Sequence, residues 1–397
     1  MSNILYITYD GLLEPLGMSQ VWQYQKKLGK DHNVIILSYE KSEDLINIHA
    51  LELEIKKSDV VWVRLSYHKS PSLIATTYDI FYGFISVLRI IKKYDVDFIH
   101  SRSYVATIIA YLVNKKTDLN YIFDMRGFWA DEKVDGGVWK KTSFLYKFIK
   151  YIERKLLFNA EQIVTLTHAG KKDIKSLKCT KDSIDRISVI PTCANLDIFR
   201  PFLLEGLNIE EDVFVLGYVG SVGTFYMFDE VLKSFKKLIK VKKNSKLIII
   251  NKNQHDYIKS CIHKENMKDL DIEVRSADYQ DMTKEINAFD AGIFYIKPSF
   301  SKRSSSPTRL AEYLGCGKPC ITNYGVGDTE YVISSGNVGV ILKDFSDDSH
   351  IRGIEELLTL VSDPEVSTRC VDISKKYYSL DKGVNEYNKL YSRMIDS

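Results

Sequence analysis

The chain has few of the residues that would place it outside ordinary globular enzymes. Its 397 residues include only six cysteines and eight prolines. Cys316 and Cys320 are the closest cysteine pair, and no further Cys or His frames them as a metal site. Scattered thiols predict reduced cysteines in a cytosolic protein, not a disulfide framework. An excess of either charge is also lacking. Lys and Arg number 55 against 52 Asp and Glu, a formal net charge of +3, which argues against a dedicated nucleic-acid binder with its strongly basic domain. There is no low-complexity segment and no short-period repeat. The first nine residues lack the positive start of a signal peptide, and Asp10 interrupts their apolar run. Residues 73–91 approach the length of a membrane span, but Asp79 and Arg89 lie within them. A mid-span Asp is costly in lipid, so a buried helix is the prediction.

What the chain does have is enough apolar residue, 45%, for two cores. Short β-branched runs at residues 3–9, 33–38, 59–65, 98–100, 121–123 and 162–166 read as strands, with helical spacing between most of them, as over residues 19–30. The rhythm breaks over residues 191–211, where Pro191, Pro201 and an acidic stretch mark a linker. A second series follows, with strands at 214–219, 246–251, 291–296 and 320–323 and helices at 226–241 and 307–315. Alternation of this kind predicts α/β architecture: two Rossmann-like domains, residues 1–195 and 196–380, whose parallel sheets face a central cleft. Residues 381–397 contain one more amphipathic helix, which could cross back to the first domain.

The most informative motif runs from Ser304 to Pro319. Ser306 suits an N-cap and Pro307 the first helical position. The N–H groups of Thr308 and Arg309 would then open onto an anion, and Arg309 could add a bidentate contact to a diphosphate. Glu312 lies four residues past Thr308, roughly 6 Å further along the same face, where a carboxylate suits ribose hydroxyls. An ordinary capped helix with an Arg309–Glu312 surface pair is the plain alternative. In the first half, a glycine loop follows the first strand. Gly17 would let the backbone approach a phosphate and Ser19 would cap the next helix.

Pro307-Thr308-Arg309-Leu310-Ala311-Glu312-Tyr313-Leu314, followed by Gly317-Lys318-Pro319, resembles the donor-binding segment of family 4 glycosyltransferases. Gly325-Val326-Gly327-Asp328 resembles the family's next glycine loop. Ile190-Pro191-Thr192, with Asn195, Asp197, Phe199 and Pro201, resembles its linker, and Asp10-Gly11 with Pro15-Leu16-Gly17-Met18-Ser19-Gln20-Val21 its first loop. Residues 123–132 are similar to a subgroup that builds bacterial surface polysaccharides. The resemblance implies a GT-B fold and a retaining transferase that uses a nucleotide-diphosphate sugar as donor. It also implies a saccharide or lipid-linked acceptor, with Glu312 on the donor ribose. Gly220, Ser221, Arg303, Ser306, Thr308 and Arg309 join Gly17 as candidate donor contacts.

Several positions depart from the family pattern. Ser304 stands where many members carry a second acid, and the loop after the first strand of the second domain, residues 220–226, lacks the usual Arg and Lys. Arg126 stands where a His is common. Lys302, Arg303 and Arg309 are then the nearest candidates to neutralise the diphosphate. Past a strand end in the first half, Asp124, Arg126, Asp131 and Glu132 could bind the acceptor or take its proton, and Asp131 with Arg126 is the candidate catalytic pair. No Asp-x-Asp lies near the donor segment, so neither a metal nor another cofactor is expected. Two alternatives stay open: an epimerase or hydrolase of the same architecture, and a non-catalytic nucleotide-binding subunit of an assembly complex.

Residues 140–158 carry a second pattern. Leu145, Phe148, Ile149, Ile152 and Leu156 follow a core stripe. Opposite them, Phe144, Tyr151 and Phe158 recur every seven residues beside Lys140, Lys147 and Arg154, with Lys150 adjacent. Aromatics among cations predict contact with an anionic membrane surface, and hence a peripheral protein at the inner face of the cytoplasmic membrane.

Overall fold

The computed structural model describes residues 1–180, 184–202 and 212–396. It divides into two compact units: Met1–Pro191 with Leu380–Ser397, and Thr192–Ser379. The later part of the linker predicted at 191–211 lies outside the described residues.

The first unit holds seven strands: β1 (Asn3–Thr8), β2 (Asn33–Glu40), β3 (Val61–Ser66), β4 (Phe98–Arg102), β5 (Tyr121–Asp124), β6 (Gln162–Thr165) and β7 (Ile187–Val189). They pair in the order β3-β2-β1-β4-β5-β6-β7, all parallel. The second unit holds β8 (Phe214–Val219), β9 (Ser245–Ile250), β10 (Ile272–Arg275), β11 (Ala291–Ile293), β12 (Cys320–Asn323) and β13 (Gly339–Leu342), in the parallel order β10-β9-β8-β11-β12-β13. Both are doubly wound Rossmann-like sheets. Strands covered by helices on both faces need no polar side, so β4 and β8 are buried along their whole length. Strand order reverses beside β1 and β8, which opens the crevices at the carboxyl edges of β1/β4 and β8/β11.

Local departures from the sequence pattern have physical causes. The helix expected from residue 19 starts at Pro15, runs through a π-helical turn at Met18–Trp22 and ends at Leu28. The helix expected from residue 226 starts at Phe228, because Tyr226 is drawn into bridges with Gly223 and Ile296. The apolar helix, Ser72–Tyr94, is not the buried helix predicted. Ala75, Asp79, Val87 and Ile90 face inward, while Leu73, Ile74 and Phe81 are more than 60% exposed.

The C-terminal helix, Leu380–Asp396, completes the first unit. Leu390 and Tyr391 are fully buried, the Tyr391 hydroxyl shares a 2.7 Å hydrogen bond with His100 Nδ1, and the Tyr387 hydroxyl donates to Asp124 Oδ2 at 3.0 Å. Truncating a fully buried Leu costs about 2–5 kcal/mol. Leu390→Ala should therefore lower the stability of the first unit by that amount in urea unfolding, although residue 390 follows the whole second unit in sequence.

Candidate functional site

In the first unit, register sets Thr8 beside Arg102 and Arg102 beside Asp124 along the carboxyl edge. The loop after β1 is anchored there by the buried Glu40, whose carboxylate accepts from the Leu12 and Leu13 amides at 2.9 and 3.3 Å. Gly17 does not open this loop to a ligand. It is buried, and a Cβ there would stand 1.8 Å from the Gly11 carbonyl oxygen, so its missing side chain serves packing within the loop. Nor does Ser19 cap a helix: it lies inside the helical turn and its hydroxyl donates to the Pro15 carbonyl.

Asp124 is the centre of a buried polar group. Its Oδ2 accepts from Tyr387 and lies 3.7 Å from both Arg126 Nη1 and His100 Nε2. Burial pushes the carboxyl up, but Arg126 and His100 outweigh it and hold it at about 2. Burial also depresses His100, which favours its neutral form. Arg126 adopts a left-handed backbone, φ 58°, that a non-glycine residue rarely takes. Arg102, 3% exposed, donates through Nε to Asp10 at 3.3 Å, and its Nη1 is buried without a partner.

Asp131 is placed differently from its expected role. Its Oδ1 accepts from the Tyr146 hydroxyl at 2.8 Å and its Oδ2 from Lys150 Nζ at 2.7 Å. Lys150 also pairs with the buried Glu153, which accepts from Tyr104 at 2.6 Å. With each oxygen already accepting a hydrogen bond, one of them from Lys150, Asp131 acts as a salt-bridged brace. Lys150 thus turns inward, away from the outer face predicted for it. Phe148 also moves: expected in the core, it is 47% exposed and stacks on Phe144. Phe144, Tyr151 and Phe158 are exposed, as are Lys147 and Arg154.

One constellation had no signal in the sequence. His68 Nδ1 lies 2.6 Å from Asp79 Oδ1, and Asp79 Oδ2 accepts from the Tyr9 hydroxyl at 2.8 Å. Residues 9, 68 and 79 come from two strand ends and a helix, so no spacing could have linked them.

In the second unit, the helix of the predicted donor motif is Thr308–Gly315. Ser306 is not its cap. Pro307 stays extended, with ψ 117°, and takes the cap position itself. The Ser306 hydroxyl instead accepts from the Thr192 hydroxyl at 2.9 Å, fastening the helix start to the segment after β7. Thr308 is half-buried, while Ser221 and Arg303 are exposed. Arg309 is buried, not a surface residue. Its guanidinium carbon lies 4.6 Å from the Tyr226 ring centre, 5.2 Å from Tyr218 and 5.7 Å from Phe294. Gly220 (φ 116°) makes room for it, since a Cβ there would meet Nη2 at 2.3 Å. The loop after β8 has no cation of its own, and Arg309 brings one to it from the helix. Its Nη1 has no hydrogen-bond partner.

Glu312 is 8% exposed and, among the described residues, its carboxylate has no hydrogen bond or ion pair. Burial pushes its carboxyl up to about 7, with Arg309 pulling the other way. Among the described residues, no group of three or more His, Cys, Asp or Glu could hold a metal ion.

The raised carboxyl has a sign. A native value of about 7, above the ordinary 4.5, means that the folded protein resists ionising Glu312. Stability is lost as pH rises from about 4.5 through about 7. Glu312→Gln stays neutral, so in urea unfolding it should match the parent near pH 4 and exceed it by about 2–3 kcal/mol near pH 8.

The family description "Glycosyltransferase Family 4" matches residues 21–198, and "Glycosyl transferases group 1" matches residues 199–377. Nothing among curated protein sequences matches the chain. Solved structures resemble it over nearly their full length. A glycosyltransferase from Rickettsia africae is 16% identical, with a TM-score of 0.71 and 99% of this chain and 98% of that one covered. Anabaena HepE, in complex with UDP-glucose, is 10% identical, with a TM-score of 0.69 and coverage of 99% and 100%. WaaG, a glycosyltransferase involved in lipopolysaccharide biosynthesis, is 13% identical, with a TM-score of 0.67 and coverage of 96% and 98%. At these identities the likeness is one of fold. With both halves matched, the chain belongs to glycosyltransferase family 4 and is a glycosyltransferase of the GT-B fold.

Proposed function

We propose that this protein is a retaining, metal-independent glycosyltransferase that moves a sugar from a nucleoside-diphosphate donor to a saccharide or lipid-linked saccharide. Surface polysaccharide synthesis at the inner face of the cytoplasmic membrane is the setting we assign to it. The observation that carries the donor reading is the motif helix: a buried guanidinium with one nitrogen left without a partner, and a buried carboxylate without a hydrogen bond among the described residues, stand on one short element. Arg309 suits the diphosphate, where negative charge grows as the sugar leaves. Glu312 suits the ribose diol, whose two hydroxyls can supply the hydrogen bonds its carboxylate lacks. HepE was solved with UDP-glucose, which supports a nucleotide-sugar donor here.

For the acceptor, the carboxyl edge of the first sheet offers Asp124 and Arg126. Asp124 Oδ1 is buried without a partner, and Arg126 is held beside it at a strained backbone position. Asp131, held by Tyr146 and Lys150, is not assigned the proton. The involvement of WaaG in lipopolysaccharide biosynthesis is consistent with the polysaccharide reading. The exposed Phe144, Tyr151 and Phe158, interleaved with Lys147 and Arg154, support a peripheral membrane location. The overall test is a thermal-shift screen of nucleotide sugars, followed by mass spectrometry of products on lipid-linked acceptors. Donor consumption without transfer to any acceptor would favour the hydrolase or epimerase reading, and binding without turnover a non-catalytic subunit.

Three outcomes are expected. UDP affinity, measured by calorimetry, should rise about tenfold between about pH 6 and pH 8, as Glu312 ionises and becomes an acceptor for the ribose; Glu312→Gln should flatten this rise. Arg309→Ala should weaken UDP binding far more than uridine binding, and equal losses would make Arg309 structural. Transfer should persist in EDTA. Loss of activity restored by manganese would overturn metal independence.

A further inference from the structure

Three helices lie side by side over one face of the first sheet: Ser72–Tyr94, Ser103–Thr117 and Phe144–Asn159. Val87, Ile109 and Leu156 from the three join a single core with Leu5 and Ile99 of the strands. What they turn outward is unlike the rest of the chain. Overall, acidic and basic residues nearly balance, 52 against 55. These three helices contain just two acids, Asp79 and Glu153, and both are buried. Every exposed charged side chain on them is Lys or Arg, including Arg89 and Lys92 on the first, Lys115 on the second and Lys147 and Arg154 on the third.

Apolar exposure is equally one-sided. The Leu73–Tyr94 segment is as apolar as a membrane span, with a mean hydropathy of 1.4, yet its outer side faces away from the protein core. Leu73, Ile74 and Phe81 are 71%, 69% and 62% exposed, with Tyr78 and Tyr82 beside them. A contiguous patch of this kind marks an interaction site. Each of the three helices begins at the carboxyl edge of the sheet, because each leads back to the amino end of a parallel strand: Phe98–Arg102, Tyr121–Asp124 and Gln162–Thr165. The apolar half of Ser72–Tyr94 and the stacked Phe144 and Phe148 therefore lie at the end of this face nearest Asp124 and Arg126, while Arg89, Lys92 and Lys115 lie toward the other end.

We infer that the outer surface of these three helices is a membrane-docking face, with the N-terminal half of Ser72–Tyr94 as the part that enters the lipid. The inference rests on the peripheral-membrane reading above and extends it from one helix to a layer. The occupant is an anionic bilayer. A surface with exposed cations and no exposed acids matches lipid phosphates, whereas a second copy of the same face would set cation against cation. A lipid-linked acceptor anchored there would present its saccharide at the carboxyl edge of the first sheet.

The test uses the full chain and vesicles rich in phosphatidylglycerol at low salt. Wild type should sediment with them, less so as salt rises. Leu73→Ser/Ile74→Ser/Phe81→Ser should lose at least about tenfold in vesicle binding while keeping its circular dichroism and its thermal shift with UDP. Phe81→Trp, which disturbs the fold least, should be quenched by bromine-labelled acyl chains. If the triple variant binds as wild type does while Phe144→Ser/Tyr151→Ser/Phe158→Ser fails to bind, the membrane reading survives and the role of Ser72–Tyr94 is overturned. If wild type ignores the vesicles, or is a dimer that the first triple variant converts to monomer, the docking face itself is overturned.

Discussion

The Arg309 guanidinium lies buried among three aromatic rings, and from that position it decides what its neighbours can be. A charge taken out of water is tolerated when something nearby offsets it. Here the offset is the faces of Tyr218, Tyr226 and Phe294. The loop after β8 takes a glycine at residue 220, where φ is 116° and a Cβ would push the guanidinium aside. Glu312, one helical turn further on, feels that charge but forms no ion pair with it. The same helix therefore holds a buried cation and a buried carboxylate that are not paired with each other, with Arg309 Nη1 left without a partner.

The first unit treats its buried charges in two ways. Around Lys150 the polar groups are tied to one another: the ammonium pairs with both Asp131 and Glu153, and the Tyr146 and Tyr104 hydroxyls donate to those two carboxylates. At the carboxyl edge of β4 and β5 the accounts stay open. Arg102 has an orphan nitrogen, Asp124 an orphan oxygen, and Arg126 is kept in a backbone conformation that costs about 1 kcal/mol or more. Unfinished hydrogen bonding at the edge of a parallel sheet is where a fold of this kind places its ligands.

Much of this was legible in the sequence. Short β-branched runs separated by helical spacing set out most of both sheets, and the Pro307–Leu314 motif located the Thr308–Gly315 helix before any contact was known. What escaped was short or non-local. β7 has three residues, and β10 alternates charge with apolar side chains, so neither stands out from a loop. Ser306 looked like a cap because serine before proline usually is one; its tie to Thr192 is a tertiary contact. Phe148 and Lys150 exchanged faces relative to the expected stripe because Glu153 and Asp131 drew the ammonium inward, which a hydrophobic pattern cannot register. Gly17 was read as open backbone, and only the position of the Gly11 carbonyl shows that the space is filled.

The C-terminal helix gives the chain an order of assembly. The ribosome completes residues 192–379 before it makes the segment that covers Tyr6, His100 and Asp124. Until residues 380–396 emerge, the first sheet has its strands but lacks the lid over one face. The second unit has no such dependence and can close as soon as its own strands are available. The half that is made first is thus finished last, and any nascent chain halted within the second unit leaves the Asp124 group facing water.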